Sequence, residues 1–202
     1  GAFGGMGLSI ASNLVLEKRA NIGMVYRSFF PSEDQWESWL KDTTKPDSIK
    51  DKIALLKRMK SSGCNVTLMQ ADVSDIDEVE RVASELQKQN TKISGIIWAA
   101  GEVDHGGIVL NRDRAEMMKD LGSKLNGLHN FQKYFDFRKL DFLSLFSSMG
   151  NVFYQVKFGQ VSYNAANEYL DSYAHYIKDT FGIHAFAINW CDWLNVGMTF
   201  NI

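Results

Sequence analysis

The sequence predicts a doubly wound α/β fold, a mostly parallel sheet covered by helices on both faces. Three observations carry this. Short apolar runs of strand length recur along the chain, they alternate with helical-period segments of ten or more residues, and a glycine-rich turn opens straight into the first of those helices. With 202 residues the chain can bury one sizeable core and is short for two. A hydrophobic fraction of 45% against 23% charged residues excludes a disordered tail. The formal net charge of -2 gives no basic excess for a nucleic-acid groove. No apolar stretch approaches the roughly 18–20 residues of a membrane helix, and no charged-then-apolar leader opens the sequence, so a cytoplasmic location is expected. Cys64 and Cys191 lie far apart with no CxxC, which argues against a disulfide framework or a zinc knuckle. The histidines have no metal-site spacing.

Leu8, Ile10, Ala11, Leu14 and Val15 fall at helical spacing, and Asn21 to Tyr26 follows as a short apolar strand. Pro31 and Pro46 bracket an amphipathic insertion, Asp34 to Leu40, whose Trp36 and Trp39 either pack on the domain's own helices or dock a neighbouring domain. Ile53, Leu55, Leu56 and Met59 mark the inner face of the next helix, which Gly63 stops. Asn65 to Ala71 reads as strand. Ser74 to Gln89 reads as helix, with Val79, Val82, Ala83 and Leu86 inward. Ile93 to Ala99 is a buried strand bounded by Gly101, and one long helix is expected from about Arg114 to Tyr134. Asp141 to Ser147 then reads as strand, Gln160 to Thr180 as helix and His184 to Trp190 as strand.

The chain opens Gly1-Ala2-Phe3-Gly4-Gly5-Met6-Gly7 and runs into the first helix. Glycines there let the backbone turn tightly and approach a pyrophosphate, which the free N–H groups of a helix N-terminus then hold. A purely structural turn is the alternative. The strand that normally precedes such a turn lies in the middle of the sheet. It is not in the sequence, which points to a piece cut from a longer polypeptide. At the end of the second strand stand Arg27 and Ser28. An acid at that place bonds the ribose 2′-OH of NAD, whereas an arginine accommodates the 2′-phosphate of NADP, so NADP is expected. Asp72-Val73 is placed to hold the adenine edge or, alternatively, to cap the helix that follows. Ala99-Ala100-Gly101 offers small residues where a nucleotide would pass the strand ends.

A second signal lies between residues 124 and 167. Ser147-Ser148 closes a strand, Tyr163 opens a helix fifteen positions after Ser148, and Asn167 lies one helical turn beyond Tyr163. A carbonyl that accepts hydride needs a proton donor at its oxygen, and a tyrosine serves when a nearby cation favours its phenolate. A serine adds a hydrogen bond to the developing alkoxide. Lys124 is the candidate cation. Singly these residues also read as a solvated lysine and a core tyrosine; their order along successive strands and helices gives them weight.

With these residues in view, the chain resembles the ketoreductase domains of modular polyketide synthases and hybrid peptide–polyketide synthetases, a branch of the short-chain dehydrogenase/reductases. The resemblance runs through the Gly1–Gly7 loop, Arg27, Ala71-Asp72-Val73, Trp98-Ala99-Ala100-Gly101 and Lys124-Leu125-Asn126-Gly127. It continues in Leu145-Phe146-Ser147-Ser148, Gly159 to Asn167, Asn189-Trp190 with Trp193, and Gly197-Met198. Ordinary members of the superfamily carry lysine four residues after the tyrosine; here that place is Asn167 and the lysine comes earlier, as Lys124. The resemblance implies a Rossmann-like fold and NADPH-dependent reduction of a ketoacyl thioester held on the phosphopantetheine arm of a carrier protein, beside neighbouring synthase domains. Carried over, Tyr163 is the proton donor, Ser148 positions the carbonyl, Lys124 supports the tyrosine and joins a proton relay, and Asn167 assists. Gly1, Gly4, Gly5, Met6, Gly7, Arg27, Ser28, Asp72, Val73, Ala99, Ala100 and Gly101 bind the cofactor.

The chain departs from the family pattern in places. The Ser148–Tyr163 interval is two residues longer than usual, which implies a bulged loop over Asn151 to Phe158. Residues 103–105 read Val-Asp-His where many relatives have Leu-Asp-Asp, a marker of one stereochemical class. Asp104 is retained, His105 reads as a loop residue, and the tryptophan that marks the other class is absent, so the pattern leans to the first class. The sequence stops just after Gly197-Met198, where relatives have a lid helix and one more strand. Two alternatives stand beside the polyketide-type reductase: an α-keto reductase of a depsipeptide-forming synthetase, and a non-catalytic domain that keeps the fold.

Overall fold

In the computed structural model, which describes residues 1–89, 92–102, 104, 106–107, 109–153 and 159–194, the chain divides into two units. The first, Ala2–Gln70, contains helix α1 (Gly5–Leu16), strand β1 (Ile22–Tyr26), helices α2 (Trp36–Lys41) and α3 (Asp47–Ser61), and strand β2 (Val66–Gln70). β1 and β2 pair in parallel from Ile22–Val66 to Tyr26–Gln70. The apolar stripes of α1 and α3 close a core of Leu8, Ala11, Val15, Ile53, Leu56 and Met59 with Met24 of β1. Trp36 belongs to this core. Its ring stands edge-on to Phe30 at 6.2 Å and its indole N–H donates to Pro31 O at 2.9 Å. Trp39 packs beside that core under the Lys45 ammonium. Both tryptophans of the insertion are thus occupied within their own unit.

The second unit comprises Gly1 and the described residues from Ala71 onward. It holds α4 (Ile76–Lys88), β3 (Gly95–Trp98), α5 (Arg114–Gly122), α6 (Leu125–Tyr134), β4 (Phe142–Ser148), α7 (Val161–Phe181) and β5 (His184–Trp190). All three strands are parallel in the order β3-β4-β5, with Leu145 opposite both Trp98 and Ala187. β4 is central and buried along nearly its whole length, as a strand covered on both faces must be. α7 lies against β4 and β5, and α6 against α4. The architecture is α/β and Rossmann-like, with its parallel strands in a pair and a triple.

One element differs from expectation. The long helix of Arg114 to Tyr134 is two helices, divided at Ser123–Lys124. The Lys124 N–H donates to Leu121 O, a bond one residue shorter than the α-helical one, and the tightened turn ends α5. Gly122, a weak helix former, is buried at this point with its α-carbon face against Ser74. The apolar period runs on through the break, so nothing in the pattern marks it. The class-marker positions Val103 and His105, the part of the bulged loop from 154 to 158, and Gly197-Met198 lie outside the described residues.

Candidate active site

The C-terminal ends of parallel strands are where an open α/β sheet binds ligands, and β4 delivers Ser147 and Ser148 there. Ser148 is buried, and its Oγ accepts the Gly150 N–H at 3.1 Å, which holds the side chain at the start of a short 3₁₀ turn. The break between α5 and α6 turns Lys124 inward. The residue is only 4% exposed; its ammonium donates to Phe146 O at 3.0 Å and to Asn167 Oδ1. It also lies over the Tyr163 ring, 5.4 Å from the centroid. Asn167 is fully buried, and its Nδ2 donates to Tyr163 O at 2.8 Å, one turn back along α7. Lys124, Asn167 and Tyr163 are therefore brought together, with Ser148 on the strand whose Phe146 carbonyl receives the same ammonium.

Burial pushes Lys124 down to about 7, opposed by the negative charge of Asp171. Asp171 lies one turn beyond Asn167 on α7 and anchors a polar group below the site. Asn151 Nδ2 donates to Asp171 Oδ2 at 2.8 Å and to Ser147 Oγ at 3.2 Å, while Ser147 Oγ donates to Asn167 O at 3.2 Å. The Asn189 amide of β5, oriented with its nitrogen toward acceptors, donates to Ser147 Oγ at 2.8 Å and to Asp171 Oδ1 at 3.1 Å. The sequence reading missed this group. Its one local signal is the four-residue spacing Tyr163, Asn167, Asp171, which lines a single helix face.

The expected cofactor residues divide between the units. In the first, α1 begins at Gly5 after Gly4, no side chain caps it, and Gly4 and Gly5 are exposed, so no side chain occupies the helix start that an anion would use. Met6 and Gly7 lie in that same turn, half-buried. Arg27 and Ser28 are exposed just past β1, and Arg27 O accepts Gln70 Nε2 at 3.1 Å. In the second unit, a side chain on Gly1 would meet Ala99 O at 2.0 Å, so only bare backbone fits against Ala99-Ala100. A methyl on Gly101 would meet Lys124 Cε at 3.1 Å. Asp72 does not cap α4. Its Oδ1 accepts from Ser74 N at 2.9 Å and Ser74 Oγ at 2.6 Å, and Asp75 is the cap, accepting from the N–H groups of Asp77 and Glu78. Val73 is buried, with its carbonyl on Asn130 Nδ2 at 3.1 Å.

Comparison with known proteins gives a consistent answer. The family model described as the KR domain matches residues 1–195. The chain is 28% identical over 200 residues to 6-methylsalicylic acid synthase of Penicillium patulum, covering 98% of this chain and 11% of that protein. It is 31% identical over 148 residues to polyketide synthase PksN of Bacillus subtilis (strain 168), covering 71% of this chain and 3% of that one. Among solved structures, a ketoreductase domain from the bacillaene assembly line superposes with a TM-score of 0.76 at 27% identity, covering 98% of this chain and 44% of that one. The chain thus spans about a tenth of the length of the first curated relatives it matches. It belongs to the KR-domain family, the ketoreductases of polyketide synthases, built on the short-chain dehydrogenase/reductase fold.

Proposed function

We propose that residues 1–202 are the catalytic ketoreductase part of a larger synthase, reducing a ketoacyl thioester on a carrier protein's phosphopantetheine arm to the hydroxyacyl thioester, with NADPH as reductant. The observation that carries this is the joining of buried Lys124 and Asn167 to half-buried Tyr163, with Lys124 donating to Phe146 O on the strand that ends in Ser148. The uncapped glycine turn at α1 fits a pyrophosphate. Gly1, Gly4, Gly5, Met6, Gly7, Arg27, Ser28, Asp72, Val73, Ala99, Ala100 and Gly101 would hold the dinucleotide, with Arg27 at the 2′-phosphate. When bound, the nicotinamide supplies a hydride to the ketone carbon.

The chain's own groups handle the oxygen. Ser148 Oγ donates a hydrogen bond to the carbonyl and orients it. Tyr163 gives its phenol proton to that oxygen as the C=O becomes C–OH. The Lys124 ammonium stabilises the phenolate left behind and is itself held by Asn167 Oδ1 and Phe146 O. Asn167 thus ties the lysine to the tyrosine backbone through its two amide atoms. This complete set argues against a domain that keeps only the fold. Relatives that are polyketide synthases favour the polyketide-type substrate over the α-keto alternative.

The test is NADPH consumption by the intact protein with a β-ketoacyl pantetheine thioester. Tyr163→Phe is expected to lower kcat by about 10²–10⁴-fold, the worth of a positioned proton donor, while NADPH binding stays intact. Undiminished turnover in that variant, or none in the wild type with NADPH bound, removes the assignment.

A further inference from the structure

Tyr163 is the third residue of α7, in the part of a helix where backbone N–H groups lack partners and the chain frays. A helix ordinarily settles this with its own N-cap side chain accepting from the second and third N–H groups. The N-cap here is Gln160, and its side chain makes no such bond. The two donors are nevertheless satisfied. Asp104 Oδ2, from the loop after β3, accepts the Ser162 N–H at 3.1 Å and the Tyr163 N–H at 3.2 Å. Its other oxygen accepts the Gly106 N–H at 2.8 Å and Arg112 Nη1 at 2.6 Å, so every strong acceptor direction of the carboxylate is used. Arg112 in turn reaches Gly106 O at 3.1 Å and Asp120 on α5 at 3.0 Å. Gln160 Nε2 donates to the Asp104 carbonyl at 3.0 Å, and Gly159 (φ +79°) sits so close to Gly107 that a side chain there would meet its backbone N at 3.0 Å.

We propose that Asp104 is a positioning residue for Tyr163: a remote N-cap, locked by Arg112, that fixes the first turn of α7 and thereby the place of the phenol. This rests on the ketoreductase reading for its effect on turnover. The geometry gives the reason for using a carboxylate. An anion at a helix N-terminus is favoured by the aligned peptide dipoles, and its charge-assisted bonds are stronger and more directional than those of a neutral cap. The Asp104 side chain is fully buried and its arginine partner only 11% exposed, so water does not compete for either. A loop and a helix more than fifty residues apart in sequence are joined at the turn that bears the proton donor.

The experiment compares Asp104→Asn with the wild-type intact protein. The amide keeps the shape but loses the charge and one accepting oxygen. Hydrogen–deuterium exchange without substrate is expected to rise in the peptide covering residues 159–163 and not along β4. Turnover should lose roughly 10- to 100-fold in kcat, the scale of a displacement of about 1 Å in a catalytic group, with the KM for the keto thioester and the Kd for NADPH within about a factor of two of wild type, since uniform binding is untouched. Arg112→Met, which leaves the carboxylate in place but unlocked, should move both readouts the same way by less, and it decides the matter if Asp104→Asn does not fold. Unchanged exchange at the start of α7, or a loss confined to KM, overturns the proposal. A wild type that reduces no keto thioester overturns the ketoreductase reading instead, because the exchange arm measures the clamp with no substrate present.

Discussion

Lys124 and Arg27 show how differently two cations of the proposed site are placed. Lys124 is stripped of water, so its proton is loosely kept even though two oxygens, Phe146 O and Asn167 Oδ1, accept from the ammonium. Arg27 lies exposed after β1, where a guanidinium keeps its charge and its fork of donors. If Arg27 meets the 2′-phosphate, Arg27→Ala should weaken NADPH binding by roughly 10- to 100-fold, the worth of one or two charge-assisted hydrogen bonds, and leave NADH binding nearly unchanged. Titrating both nucleotides by quenching of intrinsic fluorescence checks this, and equal losses would refute the phosphate role. Arg27 and Tyr163 were legible as candidates because each stands at a fixed distance from a strand end or helix start. Arg112 was not, because its partner Asp104 is set by a loop whose course no local pattern encodes.

At the scale of elements, α6 shows what a short motif can specify. Gly127 in Lys124-Leu125-Asn126-Gly127 brings the helix against β3 so closely that a methyl there would lie 2.7 Å from Trp98 Cζ2 and 2.9 Å from Val73 Cγ2. Gly127→Ala should gain about 1 kcal/mol in helix propensity yet lose about 1–3 kcal/mol to overpacking against a ring that stacks edge-on with Phe131 at 5.0 Å. The expected net result is a lower Tm, by roughly 2–4 °C for each kcal/mol lost, read by thermal unfolding followed by circular dichroism. Strands were the easiest elements to read. β5 matches its sequence expectation at both ends because Gly182, with φ +69°, stops the preceding helix two residues earlier. The division between α5 and α6 was illegible for the opposite reason. It is made by one tightened turn and a buried lysine, neither of which disturbs the apolar period.

For the molecule as a whole, the burial of Lys124 leaves a signature in stability against pH. Unfolded, the lysine binds its proton up to about 10.5; folded, only up to about 7. Between those values the unfolded state holds more protons, so stability rises with pH across the interval and is lowest below it. Tyr169, pushed up to about 12 by burial and then by Tyr176, works the other way, and its contribution is lost as pH climbs past 10. Denaturant unfolding from pH 7 to 10 should therefore show a rise in midpoint that Lys124→Met abolishes; an identical slope in the variant would place the effect elsewhere. Among the described residues no helix is long and apolar enough to cross a membrane. The separation of strands into β1-β2 and β3-β4-β5 was not legible, since alternation gives the parallel pairing but not which neighbours meet.

The line Tyr163, Asn167, Asp171 along one face of α7 also dictates where length can change in such a chain. Extra residues between Phe153 and Gly159 would fall outside both the Asn151 contacts and the Asp104-held start of α7, and leave the spacing along that helix unchanged. A single residue inserted between Tyr163 and Asn167 would swing the phenol about 100° around the helix axis, away from both the lysine and the serine. A change in length is therefore cheap between Phe153 and Gly159 and ruinous just after the tyrosine.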